Sequence, residues 1–354
     1  MHSMNDRLIK SKAEKVEKAE GRFRCFGRLC LIVFFIFASL LLGCNEKNQD
    51  EQISETRLLL DTYCTITIHG NVDAGMLDDA FSLCEELEAL FSITIEGSDV
   101  WRINNSGGRP VTVDHRTIEV IKAGLVFGEW SDGMFDITIG RLSRLWDFGG
   151  EPNVPPESEL NKALDTIDYR QVIISGNTVQ LENPDALIDL GAIAKGFIAY
   201  EIAEFLAAQD VSGALIDIGR DVVAVGSRQD GNPWRIALQD PFGSNGDWLG
   251  IIEVKWASVL GSGTYERQFE FDNVRYHHIL DPFTGMPVIS DIISATVITE
   301  TALLGEGLST LAVLLGSDNV EDLFSRANGF IGAVIVLDSG ELLKFGDVVF
   351  VNGG

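Results

Sequence analysis

Arg275-Tyr276-His277-His278-Ile279-Leu280-Asp281-Pro282-Phe283-Thr284-Gly285-Met286-Pro287 reads as a strand that runs into a rigid turn, punctuated by Asp-Pro and Thr-Gly. The stretch holds two of the five histidines and two of the nine prolines. A histidine beside a carboxylate at such a turn suits proton transfer. A strand-end histidine next to a turn-capping aspartate is the structural alternative, and the stretch alone leaves both open. Around it lies a succession of short strands broken by turns: 214–218, 222–225, 234–239, 249–254, 267–271, 274–279 and 294–298. Asp272-Asn273 reads as a hairpin tip between two of them. A helix over 301–315, a short one over 320–327 and strands at 332–337 and 348–351 follow.

The first half is more helical. Residues 58–68 read as a strand, and Met76, Leu77, Ala80, Phe81, Cys84, Leu87 and Phe91 recur at helical spacing. Residues 97–108 read as a loop, 116–130 as a second helix ending before Gly133, and 152–156 as another loop. Ser175-Gly176-Asn177 joins a hairpin of 172–174 and 178–181, and 196–209 reads as a long helix. Helices and strands mix without regular alternation, which argues against a doubly wound nucleotide fold and for an α+β class.

The chain has 354 residues, 45% of them hydrophobic, with 36 glycines and a net charge of −26. That length is ample for a large core. The acidic balance excludes a nucleic-acid partner, because phosphate backbones are held by clustered Lys and Arg. Residues 1–43 carry eight basic and four acidic residues, so the remainder holds 19 against 49, a net of −30. A basic region ends at Arg22, Arg24 and Arg28, and the apolar run 29–42 follows it, leading into Leu41-Leu42-Gly43-Cys44. Fourteen apolar residues fall short of the ~20 a membrane span needs, and they suit a signal-peptide core. The expected organisation is a signal peptide over 1–43, a polar tether over 44–56 and a folded domain over 57–354. Cys64 lies in a strand pattern and Cys84 on a helix's apolar stripe, so buried thiols are expected rather than a disulfide.

Two further stretches carry chemistry. Gly191-Ala192-Ile193-Ala194-Lys195-Gly196 places a lysine between glycines at a helix start, where backbone amides can approach an anion. It is not a Walker A loop, because the spacing differs and no Ser or Thr follows the lysine. A strand-to-helix turn with a surface lysine is the structural alternative, and Asp189 is placed to cap it or to bind. Glu306 and Thr310 are four residues apart on one helix face. Both offer hard oxygen donors of the kind Mg²⁺ takes. Glu306 is the only charge on an otherwise apolar helix, and such a carboxylate needs a partner.

Taken together, Phe135-Asp136, Thr138, Gly140, Leu142, Trp146-Asp147-Phe148-Gly149, Ile193-Ala194-Lys195-Gly196, Trp234-Arg235-Ile236 and His278-Ile279-Leu280-Asp281-Pro282 with Thr284-Gly285 and Pro287 resemble the ApbE family, flavin transferases of bacterial envelopes. The resemblance covers roughly 58–345 and implies a single compact domain of two lobes with a ligand cleft between them. It also implies FAD as donor and, with Mg²⁺, transfer of FMN to a threonine hydroxyl of an envelope flavoprotein, releasing AMP. An FAD pyrophosphatase and a flavin-binding lipoprotein without transfer activity are the alternatives. By the same resemblance Thr62, Asp136, Lys195, Asp217, Ser262, Gly263 and His278 lie on the cofactor. The Ala194 carbonyl, Glu306 and Thr310 lie at the metal, and His278 with Asp281 works on the attacking hydroxyl. Gly43-Cys44 resembles a lipobox, which implies a lipid anchor on Cys44 and a place at the membrane facing the periplasm or cell exterior. The chain departs from the family pattern at Asp61 and Arg220, where glycine is usual, and at Glu306, where aspartate is usual. A flavin-stacking aromatic is absent near Ser92-Ile93-Thr94, with Trp101 as a substitute.

Overall fold

The computed structural model describes residues 51–244 and 246–352. The signal-peptide core, Cys44 and the first half of the expected tether lie outside the described residues. Contacts gather the chain from Gln49 onward into one unit.

The unit begins with a hairpin of β1 (Glu51–Leu59) and β2 (Thr62–Gly70). Two expectations change here. Residues 51–56, read as tether, are strand, because the polar Ser54 and Thr56 bond across to the hydroxyls of Thr67 and Thr65 at 2.8 Å each. The single strand expected over 58–68 is two strands, turned by Leu60 and Asp61 at φ 56° and 54°. Both turn residues are left-handed, as a tight hairpin turn requires, and aspartate tolerates that conformation better than most side chains.

Helices α1 (Ala74–Phe91), α2 (Asp99–Asn104), α3 (His115–Trp130), α4 (Gly140–Trp146) and α5 (Glu157–Leu164) follow, with β3 (Val111–Thr112) between α2 and α3. The α2 turn occupies the stretch expected as a loop. Ser98 caps it by accepting from Trp101 N at 2.9 Å, a start signal on a helix too short to show periodicity. Next come β4 (Val172–Ser175), β5 (Thr178–Leu181) and α6 (Ala194–Ala207). A run of strands comes after: β6 (Val211–Ile218), β7 (Asp221–Gly226), β8 (Trp234–Gln239), β9 (Trp248–Val254), β10 (Ala257–Gly263), β11 (Gln268–Phe271), β12 (Val274–His277) and β13 (Ile292–Thr299). The chain closes with α7 (Ala302–Leu315), α8 (Val320–Arg326), β14 (Phe330–Leu337), β15 (Leu342–Gly346) and β16 (Phe350–Asn352). The class is α+β.

The spine is an eight-stranded sheet ordered β1-β2-β6-β7-β10-β13-β14-β15, with every neighbouring pair antiparallel. Period-2 alternation sets its faces. Cys64, Ile66 and Ile68 on β2 pair in register with Ile218, Ile216 and Ala214 on β6. These six join one buried cluster with Phe81 and Leu87 of α1, Ile198 and Ile202 of α6, and Leu308 and Leu311 of α7. On another side Val259, Ile298 and Val334 meet Leu238 and Ile252 from the β16-β9-β8 sheet.

A third cluster fixes the stretch that opened the sequence. Leu142 and Trp146 of α4 and Leu160 of α5 enclose Leu280. Trp146 packs against Phe148, Tyr276 and Phe269 with ring centroids 5.6, 5.4 and 6.3 Å away. Its indole Nε1 donates to the Gly285 carbonyl at 2.8 Å. The tryptophan therefore clamps both sides of the turn that follows His278.

Candidate active site

The α6 N-terminus, the β6–β7 turn, β10 and α7 converge. At the α6 start, Asp189 accepts from Gly191 N at 2.8 Å, so it caps the turn. This turn delivers Lys195 to the interior. Its ammonium donates to Asp221, the first residue of β7, and lies 3.7 Å from Glu306 Oε1. Glu306 also accepts from Gly196 N at 2.8 Å, and Asp221 accepts from Gly261 N at 3.2 Å. The two carboxylates are almost sealed, at 3% and 2% exposure, while the Lys195 side chain keeps 26%.

The electrostatics follow from burial. Desolvation and then the charge of Asp221 push the Glu306 carboxyl up to about 8, against the opposing pull of Lys195. Burial works to lower the Lys195 ammonium, but Asp221 and Glu306 outweigh it and hold it above the usual lysine range. Two buried carboxyl groups thus compete for one ammonium, and Glu306 answers by holding its proton more tightly than a free glutamate does.

Of the residues expected at a metal, Glu306 and Thr310 do share a face. Thr310 Oγ1 lies 3.1 Å from Ser262 Oγ on β10, and Ser309 Oγ lies 2.9 Å from the same hydroxyl. Ala194 is the first residue of α6, two positions before the Gly196 amide that meets Glu306. Among the described residues no group of three or more His, Cys, Asp or Glu could hold a metal. A cation here would rest on hydroxyl and carbonyl oxygens with Glu306, a donor set suited to a hard ion.

The cofactor residues divide. Thr62 lies against Gly219 in the β6–β7 turn: a Cβ added to Gly219 would come within 2.7 Å of Thr62 Oγ1, and Gly219 has φ +63°. Asp217 on β6 accepts from Arg220 N at 2.8 Å, and burial raises its carboxyl. Gly263 ends β10, and a Cβ there would come within 2.4 Å of the Tyr265 ring. At both positions the space a Cβ would take is filled by the protein's own side chains, Thr62 and Tyr265, so the glycines let these side chains pack against the turn and the strand end.

Asp136 is tied into its own loop. Its Oδ1 accepts from Thr138 N and Thr138 Oγ1 at 2.7 and 2.6 Å, and its Oδ2 from Tyr169 N at 2.8 Å. Buried and with both oxygens occupied by protein donors, it organises the loop before α4. Asp281 is held in a similar way. Its Oδ1 accepts from Phe283 N and Thr284 N at 2.7 and 3.2 Å, which makes it the turn's cap. Among the described residues no hydrogen bond joins it to His278.

His278 and His277 part company where β12 ends. His277 Nε2 lies 3.2 Å from the Val288 carbonyl. His278 N donates to the Arg267 carbonyl at 3.0 Å, but its ring Nδ1 is buried without a partner. Burial, then the charge of Arg267, lowers the His278 imidazolium to about 4, with Lys195 adding to the effect. At neutral pH the ring is an unprotonated base.

Sequence reasoning missed Asp221, the partner of Lys195. The signal was weak: Asp221 opens the apolar run Val222-Val223-Ala224-Val225 but follows Arg220 directly, so it reads as an ordinary turn charge. The two expected thiols, Cys64 and Cys84, are both free and buried.

Comparison with known proteins gives a consistent result. A family model described as the ApbE family matches residues 60–335. The chain is 31% identical to an FAD:protein FMN transferase of Treponema pallidum over 295 residues, which covers 77% of this chain and 82% of that protein. It is 36% identical to one of Klebsiella pneumoniae over 287 residues, covering 77% and 88%. Among solved structures, the flavin transferase ApbE from Vibrio cholerae superposes with a TM-score of 0.75 at 27% identity, covering 83% of this chain and 96% of that one. The ApbE protein from Thermotoga maritima gives 0.75 at 32% identity, covering 83% and 97%.

Proposed function

Because the chain belongs to the ApbE family of flavin transferases, we propose that it acts as an FAD:protein FMN transferase, moving FMN from FAD to a threonine hydroxyl of an envelope flavoprotein in a Mg²⁺-dependent reaction that releases AMP. The observation that carries this reading is the Lys195–Asp221–Glu306 cluster, continued through Ser262 and Thr310.

In the reaction, the threonine oxygen forms a bond to the FMN phosphorus. The pyrophosphate bond on that phosphorus breaks, AMP leaves with the bridging oxygen, and the threonine proton must go to a base. His278 supports the last step, because its neutral ring can accept a proton at physiological pH. Lys195, permanently protonated, offers charge to the phosphates. Glu306, the Thr310 hydroxyl and the Ala194 carbonyl would hold the cation. When bound, Mg²⁺ would neutralise pyrophosphate charge and polarise its oxygens. The proposal also anchors the domain by a lipid on Cys44, supported by the short apolar run and Gly43-Cys44.

The test mixes the protein with FAD, Mg²⁺ and a threonine-bearing acceptor peptide, followed by a denaturing gel. Flavin fluorescence on the peptide is the expected result. Free FMN with AMP would replace the reading by FAD hydrolysis, and intact FAD held only by folded protein would replace it by flavin binding.

A further inference from the structure

The β6–β7 turn carries a feature that the proposed chemistry leaves unused. Arg220 has φ +79°, a left-handed backbone that arginine disfavours and glycine accepts freely. The conformation is enforced, since Arg220 N donates to Asp217 Oδ1 at 2.8 Å and Gly219 N donates to the Tyr63 carbonyl at 3.0 Å. A disfavoured residue kept in a locked turn invites a functional account. Its side chain is exposed, and among the described residues its guanidinium makes no ion pair. Its chain neighbour Asp221 binds Lys195, and Thr62 packs against the preceding glycine.

The charge around this turn is one-sided. The charge of Asp221 acts on Asp217, Glu266 and Glu306, and Lys195 is paired within the cluster. Arg220 acts on Asp217, Glu266 and Tyr265 from outside it. A dianionic pyrophosphate entering beside these carboxylates meets repulsion unless an unpaired cation faces it. A planar guanidinium is well matched to phosphate oxygens, which it can take two at a time.

We propose that Arg220 is a specificity-determining residue that grips the pyrophosphate of the incoming dinucleotide, so that FAD is preferred to flavins without one. This inference rests on the reading of FAD as the donor. The experiment titrates FAD and riboflavin into wild-type protein, Arg220→Gly and Arg220→Lys, with Mg²⁺ present, and follows flavin fluorescence at low and high salt. Arg220→Gly is expected to weaken FAD about 10- to 100-fold, the scale of a charged hydrogen-bonded contact. Riboflavin affinity is expected to stay constant, Arg220→Lys to fall between, and the salt dependence of FAD binding to shrink in Arg220→Gly. The melting temperature of Arg220→Gly is expected not to fall, since glycine relieves the left-handed backbone. Unchanged FAD affinity in Arg220→Gly, or an equal loss for FAD and riboflavin, would overturn the inference while leaving the donor reading intact. Wild-type protein that binds no FAD would overturn the donor reading and this inference together.

Discussion

At the scale of single residues, His278 and Glu306 carry the sharpest expectations. His278→Ala should lower turnover about 10²- to 10⁴-fold, the usual range for a general acid–base group, with FAD affinity changing far less. His277→Ala is the control, because that ring bonds to the Val288 carbonyl. The pH behaviour follows from a folded value pushed down to about 4 from an ordinary 6.5. His278 contributes stability above pH 6.5 that is lost as pH falls from 6.5 through 4. Acid unfolding across that window should therefore be shallower in His278→Gln than in wild type. Glu306 stands where the resemblance implies aspartate, and its longer side chain is seated against the start of α6. Oε1 meets Gly196 N at 2.8 Å, and Gly196 has room for no Cβ beside Glu306 Cγ. Glu306→Asp should accordingly lose Mg²⁺-dependent transfer almost as fully as Glu306→Ala, and recovery of full activity in Glu306→Asp would refute that fit. Lys195, Glu306 and Thr310 were legible as candidates because a charged or polar group stood in an apolar or glycine-flanked setting. The turn bonds of Asp136 and Asp281 left no mark in the sequence, because a carboxylate that caps a turn and one that serves chemistry look alike there. Only the amides they meet tell them apart.

At the scale of elements, the site depends on how closely α6 and α7 approach. A Cβ on Gly196 would lie 2.3 Å from Glu306 Cγ and 2.8 Å from the Ala302 carbonyl oxygen. Gly196→Ala should destabilise the fold by about 1–3 kcal/mol, the cost of overpacking, and should reduce activity by displacing Glu306. Thermal unfolding and a transfer assay on the same preparation check both halves. The long helices were legible from apolar periodicity: the helix expected over 116–130 is His115–Trp130, and that over 301–315 is Ala302–Leu315. The strands expected at Trp234–Gln239 and Thr178–Leu181 match the observed ones. Short or small-residue elements escaped. β10, with Gly261 and Gly263 in Ala257–Gly263, has only Val259 among the β-branched side chains that mark a strand. α4 and α5, of seven and eight residues, offer barely two helical turns of pattern. The Leu60-Asp61 turn was hidden because neither residue is a glycine, although both have left-handed backbones.

At the scale of the whole molecule, an acidic chain of net charge −26 binds an anionic dinucleotide only through local devices. The candidate residues come from distant sequence: Thr62 in the first hairpin, Lys195 at a helix start, Asp221 at the head of β7, Ser262 in mid-sheet and Glu306 near the end. The eight-stranded sheet gathers them by placing β2, β6, β7 and β10 side by side, with α6 and α7 packed against the same core. The α+β class could be read from the irregular mixture of elements, whereas the strand order could not, because it rests on long-range pairings that leave no local mark. The central claim is that a threonine hydroxyl, rather than water, receives the FMN. Its most direct test counts both products of one reaction, AMP by chromatography and acceptor-bound FMN by mass, using a threonine peptide and its valine counterpart. The account predicts equal amounts of AMP and FMN-threonine peptide, with the valine peptide unmodified. AMP formed at the same rate with either peptide, with all FMN free in solution, would contradict it.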